Sequence, residues 1–121
     1  MVISSAYAIF NLQTQKMSHP LTRKIQTYVQ LHLHESVNFK KMADEMGISK
    51  NYLLSQFKKE TEQSLVDYVY TQKINEAVFL LHKGDLTIAQ IAAYLGFSSS
   101  SYFITWFKKI KGQTPKEFVN K

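Results

Sequence analysis

One stretch of this chain is written twice. The first copy runs Gly47-Ile48-Ser49-Lys50-Asn51-Tyr52-Leu53-Leu54-Ser55-Gln56-Phe57-Lys58-Lys59. The second runs Gly96-Phe97-Ser98-Ser99-Ser100-Ser101-Tyr102-Phe103-Ile104-Thr105-Trp106-Phe107-Lys108-Lys109. Each has a glycine, a hydroxyl able to cap a helix, and then Tyr-x4-Phe-Lys-Lys. From Tyr52 onward the copies keep a fixed offset of fifty residues: Gln63 matches Gln113, Ser64 matches Thr114, Asp67 matches Glu117 and Tyr68 matches Phe118. One extra residue lies in the second turn. A duplicated helix-turn-helix is the simplest arrangement such a chain can adopt.

The flanking residues supply the remaining helices. Pro20 suits a first helical turn, and Leu21, Ile25, Tyr28, Val29 and His32 recur at helical spacing on one face. Asn38 caps a short helix to about Met46, with Phe39, Met42, Ala43 and Met46 inward and Ala43 small enough for a close crossing. Gly47 ends that helix, and Ser49 caps the next, running to about Glu60 with Leu53 and Phe57 inward. Ser64-Leu65-Val66-Asp67 reads as a capping box with Asp in the acidic place, opening the longest helix, to about Lys83. Tyr68, Val69, Ile74, Ala77, Val78, Leu80 and Leu81 make that helix apolar over most of its surface, as expected of one packed between two units. At ~1.5 Å per residue it spans roughly 30 Å, close to the ~34 Å between successive major-groove faces on one side of B-DNA.

Lys83-Gly84-Asp85 breaks the chain, and Thr87-Ile88-Ala89-Gln90 is a capping box for a helix with Ile88, Ile91, Ala92 and Leu95 inward. After Gly96 the second long motif helix runs to about Lys111, and Thr114-Pro115-Lys116-Glu117 caps a terminal turn that tucks Phe118 inward. Strand signals are absent. The expected fold is all-α, with about seven helices in two helix-turn-helix subdomains (about 38–60 and 87–111) joined by a long linker helix (about 64–83). Residues 1–18 carry no sustained period and no caps. They read as a linker or the remnant of an upstream domain.

Composition narrows the function. At 45% hydrophobic residues the chain can build a core. It has no cysteine, so no disulfide framework or thiolate metal site, which fits a cytoplasmic protein. No run approaches the ~18 apolar residues of a membrane span, and Met1–Phe10 lacks the basic start of a secretory signal. Fifteen Lys and Arg against nine Asp and Glu give a net charge of +6, which suits a polyanionic partner. Arg23 is the sole arginine, so nearly all of that charge is lysine. His32 and His34 cannot share a helical face and have no third ligand nearby. They read as a mostly solvated helix end, and neither a metal nor a cofactor is expected. Nothing marks an enzyme: there is no nucleophile elbow, no phosphate-binding loop and no metal-ligand spacing.

Reading DNA requires short side chains on the N-terminal half of a helix to meet base edges, with cations and backbone N–H groups at phosphates. In the first copy Leu53 and Phe57 define the inward face, leaving Lys50, Asn51, Leu54, Ser55 and Lys58 outward. In the second, Phe103, Phe107 and Ile110 point inward, leaving Ser100, Ser101, Ile104, Thr105 and Lys108 outward. These could be ordinary solvated faces of a small bundle. Against that, Leu54 and Ile104 would be exposed apolar residues at matching places, and Lys58-Lys59 recurs as Lys108-Lys109. Trp106 reads as a packing residue at the back of the second motif helix; exposed, it would instead mark a face for RNA polymerase or a second protomer. A basic protein-interaction module meeting an acidic partner is the alternative, and it leaves the duplication unexplained.

With these residues in view, the stretch from about Pro20 to Val119 resembles the DNA-binding domain of AraC/XylS-type bacterial transcription regulators. The resemblance rests on Ala43-x3-Gly47-Ile48-Ser49-x2-Tyr52-Leu53-x3-Phe57-Lys58-Lys59 in the first half. In the second it rests on Leu86-x-Ile88-x2-Ile91-Ala92-x3-Gly96-Phe97-x4-Tyr102-Phe103-x3-Phe107-Lys108-Lys109 and Gly112-x-Thr114-Pro115-x2-Phe118. It implies two recognition helices entering adjacent major-groove segments of double-stranded DNA. Such domains usually follow a sensing or receiver domain that takes a small-molecule or phosphorylation signal. Family members often carry an arginine two residues before the aromatic of Phe-Lys-Lys, where this chain has Ser55 and Thr105. Arginine to guanine is the commonest specific major-groove contact, so its loss from both places shifts the expected site toward A/T. The expected base contacts are thymine methyls for Leu54 and Ile104, and hydrogen bonds from Asn51, Ser55, Ser100, Ser101 and Thr105. The expected phosphate contacts are Lys50, Lys58, Lys59, Lys108 and Lys109, with the helix-start amides near Asn38 and Thr87.

Overall fold

The computed structural model describes residues 19–120. Among them are seven helices and no strand: α1 (Pro20–Leu31), α2 (Phe39–Glu45), α3 (Lys50–Thr61), α4 (Leu65–Lys83), α5 (Ile88–Tyr94), α6 (Ser100–Lys111) and α7 (Pro115–Val119). Residues 1–18, read above as a linker or remnant, lie outside this range.

Each helix starts on the residue whose side chain can take an orphan N–H. Asn38, Ser49, Ser64, Thr87, Ser99 and Thr114 each accept from the backbone N–H three residues on. His19 caps α1 ahead of Pro20, its Nδ1 accepting from Leu21 N–H at 3.1 Å. Thr87–Gln90 and Thr114–Glu117 form complete capping boxes. Ser64 and Asp67 form only half of the expected one. The Ser64 hydroxyl accepts from Asp67 N–H, while the short Asp67 carboxylate turns instead to Lys109, 3.6 Å away.

Both motif turns close the same way. Gly47 N–H donates to Asp44 O and Ile48 N–H to Ala43 O; Gly96 N–H donates to Ala93 O and Phe97 N–H to Ala92 O, all at 3.0–3.1 Å. This is a Schellman stop, which needs a left-handed residue after the helix, and both glycines have positive φ, 71° and 76°. The apolar residue that follows each glycine, Ile48 or Phe97, then packs onto its own core.

The chain has two cores. Ile25, Val29, Met42, Ala43, Leu53 and Phe57 form the first together with Leu65 and Val69 of α4. Ile91, Ala92, Leu95, Phe97, Phe103, Trp106 and Phe107 form the second together with Ile74, Ala77 and Leu81 of α4. The long helix, about 28 Å at the usual rise, gives its first turns to one unit and the rest to the other. The sequence pattern anticipated this. The helix α3 packs on α1, α2 and α4, and α6 packs on α4, α5 and α7, so α4 serves the second unit much as α1 serves the first.

The end of α1 is less solvated than expected. His32 is half-buried, its ring stacked on Tyr28 at 4.0 Å, with Nδ1 2.7 Å from the Glu35 carboxylate. That hydrogen bond is the chief reason the Glu35 carboxyl is held below its ordinary pKa, helped by Lys41 nearby.

Candidate nucleic-acid interface

The helices α3 and α6 are built alike. Ser49 and Ser99 cap them by accepting from Tyr52 and Tyr102 N–H at 3.0 Å, and Leu53, Phe57, Phe103 and Phe107 are buried on the inward face. The opposite face of α3 exposes Lys50, Asn51, Ser55, Lys58 and Lys59. That of α6 exposes Ser101, Thr105 and Lys108, with Ser100 half-buried at the helix start. The expected outward sets are thus gathered on one accessible strip of each helix.

Four expectations need correction. Leu54 and Ile104 are not exposed. Both are half-buried and pack against the first and second cores, because each sits beside its inward aromatic stripe rather than opposite it. Only their outer edges could reach a thymine methyl. Lys109 lies back over the Trp106 ring, 4.5 Å from its centroid, and pairs with Asp67, so part of its charge is already neutralised. The Thr87 N–H is taken by the Gln90 side chain at 2.9 Å, leaving the amides of Ile88 and Ala89 as the ones that could meet a phosphate. Near Asn38 the Lys41 N–H is likewise taken, donating to the Asn38 side chain at 2.9 Å, which leaves the amides of Phe39 and Lys40 as the ones that could meet a phosphate.

Trp106 is a packing residue, 8% exposed, stacked on Tyr70 of α4 with ring centroids 4.4 Å apart. Buried in this way, it does not mark an exposed partner face. The same burial, with a hydrogen bond to Tyr102, pushes the Tyr70 hydroxyl up to about 12.

The hydroxyls at the two places without arginine lie against their own helix. Ser55 Oγ donates to Tyr52 O at 3.3 Å, and Thr105 Oγ1 donates to Ser101 O at 3.0 Å. Both bonds are exposed, and a hydroxyl can turn to donate or to accept, so either can meet a base edge in either sense.

One residue outside these strips escaped the sequence reading. Lys73 lies in the middle of α4, 1% exposed, and donates to three backbone carbonyls. These are Leu33 O at 2.5 Å, Glu35 O at 2.8 Å and Leu95 O at 2.6 Å. Burial pulls its pKa down to about 8, with the Glu35 carboxylate opposing the shift. A signal was present: Val69, Lys73, Ala77 and Leu81 recur every four residues, and Lys73 is the one cation in that apolar stripe.

Among the described residues no helix is long and apolar enough to cross a membrane, and no three His, Asp or Glu side chains gather as a metal site.

Comparison with known proteins adds the following. A family described as a helix-turn-helix domain matches residues 42–121. The chain is 30% identical over 103 residues to a helix-turn-helix-type transcriptional regulator in the cgkA 5′ region of Pseudoalteromonas carrageenovora, covering 85% of this chain and 61% of the relative. It is 28% identical over 104 residues to the xylose operon regulatory protein of Escherichia coli K12, covering 86% of this chain and 26% of that one. The chain therefore spans less than two thirds of these curated relatives. Among solved structures, the C-terminal domain of AraT, a response regulator from Geobacillus stearothermophilus, superposes with a TM-score of 0.81 at 28% identity, covering 86% of this chain and 87% of that one.

Proposed function

The chain belongs to the AraC/XylS-type family of helix-turn-helix transcription regulators, and from that premise we propose how its two recognition helices read DNA. It is a DNA-binding regulatory domain of residues 19–121, with α3 and α6 entering adjacent major-groove segments of double-stranded DNA. The observation that carries this is the matched pair of strips. Two helices with the same serine cap and a buried phenylalanine at the same place, Phe57 and Phe107, each present hydroxyls, with lysines at the C-terminal end.

Asn51 and Ser55 on α3, and Ser100, Ser101 and Thr105 on α6, face the bases. With no arginine at the places of Ser55 and Thr105, and with the outer edges of Leu54 and Ile104 against thymine methyls, A·T positions are favoured over G·C ones. Lys50, Lys58, Lys59 and Lys108 meet phosphates as point charges, giving affinity rather than discrimination. Lys109 contributes less, because Asp67 already holds it. The strips differ, Lys50-Asn51 against Ser100-Ser101, so the target is directional rather than palindromic. In a regulator as long as the relatives above, a small-molecule or phosphorylation signal would enter through another domain, and RNA polymerase is a further partner that this domain could meet. The family is a regulator family, and no residue is assigned an enzymatic role.

Selection from random duplexes, followed by footprinting of the winning site, tests this reading. Two protected major-groove segments on one face, A/T-weighted and unlike each other, are the expected result. G-rich half-sites would overturn the base assignment. Binding that is flat against salt would overturn the phosphate assignment and favour an acidic protein partner.

A further inference from the structure

We propose that Lys73 is a positioning residue: it locks the two helix-turn-helix units at one mutual angle, and so sets the spacing at which two groove segments can be read together. The second half of this statement rests on the DNA reading above; the lock itself does not.

The two cores share no residue, and the strong helix–helix contacts run either within a unit or to α4. Rotation of one unit against the other about α4 is therefore opposed by no common core. Among the described residues it is opposed at a seam where the loop joining α1 to α2 meets the C-terminal turn of α5. Lys73 rises from α4 into that seam. Its ammonium has three N–H donors, and the three carbonyls it meets lie in the join: Leu33 O and Glu35 O, part-buried, from the first unit and Leu95 O, buried, from the second. Tilting either unit would break bonds to the other and leave the buried ammonium short of acceptors.

Two further contacts mark the same seam as close-fitting. A Cβ on Gly96 would stand 2.5 Å from both the carbon and the oxygen of the Glu35 carbonyl, so backbone from the two units meets with no room for a side chain. On the solvent side the rings of His34 and Tyr94 lie 4.2 Å apart, centroid to centroid. A buried lysine is costly to desolvate, and the bonds that offset this cost run to both units at once, which argues for a geometric role.

The test has two arms. The chain has no cysteine, so Lys24→Cys with Lys116→Cys gives one spin label on each unit, and their distance is measured without DNA. A narrow distribution that broadens in Lys73→Met is expected; a broad one in the parent, or an unchanged one in Lys73→Met, overturns the lock. In the second arm one base pair is inserted between the two segments of the selected site. The parent should lose at least about tenfold in affinity, since segment spacing is a geometric constraint. Lys73→Met should lose no more than about threefold, because a unit free to turn can follow the shifted groove. A lysine that merely stabilised the fold would weaken both sites equally, and that result overturns the proposal. Should Lys73→Met not fold, Lys73→Gln, whose shorter side chain ends in one amide instead of the three-donor ammonium, replaces it with the same deciding outcomes. If no duplex is selected at all, the DNA reading fails while the label distances still judge the lock.

Discussion

Glu62 and Gly112 stand fifty residues apart at the same place in the two copies, and both hold left-handed backbone, with φ of 63° and 79°. Each ends its motif helix by donating its N–H to a lysine carbonyl four residues back, Lys58 O or Lys108 O, at 2.8 Å. The second copy uses the residue that adopts this conformation without steric cost. The first does not. Glu62→Gly should therefore stabilise the fold by about 0.5–1 kcal/mol, and Gly112→Ala should destabilise it by about 1 kcal/mol. Urea denaturation of the two variants checks both signs.

Gly47 and Gly96 share a conformation but not a setting. A Cβ at Gly47 meets nothing within 4 Å, whereas one at Gly96 runs into the Glu35 backbone. Gly47→Ala should cost about 1–2 kcal/mol, the strain of the left-handed residue alone. Gly96→Ala should cost clearly more, since backbone on both sides of the seam has to shift. Equal losses in thermal denaturation would show that the seam yields easily.

Lys73 makes stability depend on pH in an unusual direction. Its folded pKa is about 8, while the unfolded lysine titrates near 10.5. Between those values the unfolded chain holds more protons, so this group's contribution to stability rises as pH increases from about 8 toward 10.5. Tyr28 and Tyr70, both raised to about 12, act oppositely but only above their ordinary value of 10.0. Thermal melts from about pH 7.5 to 9.5 isolate the lysine. The upward slope should be present in the parent and absent in Lys73→Met.

The lysines should separate by salt dependence. Lys58→Ala and Lys108→Ala should each weaken binding to all sequences alike and lower the slope of log K against log salt by about 1. Lys109→Ala should change that slope less, and should lower stability by removing the contacts to Asp67 and the Trp106 ring. Titrations at several ionic strengths, with a melt for each variant, measure both effects.

Much of this protein was legible in its sequence, and the reason is locality. The caps at Asn38, Ser49, Thr87 and Ser99, the stops at Gly47 and Gly96, and the inward Phe57 and Phe107 all act on residues within about one helical turn. Their spacing therefore determined the seven helices and the duplicated motif, and the same residues carried the resemblance to the family. The tertiary structure decided the rest. Whether Leu54 and Ile104 are exposed depends on how steeply a neighbouring helix crosses, and where Lys109 points depends on Asp67 of another helix. Lys73 depends on carbonyls 40, 38 and 22 residues away in the chain. Its spacing along α4 shows only a cation in an apolar stripe. Folding alone brings three carbonyls from two units to one point, and there one ammonium, buried among them, donates to all three and offsets the cost of its own desolvation.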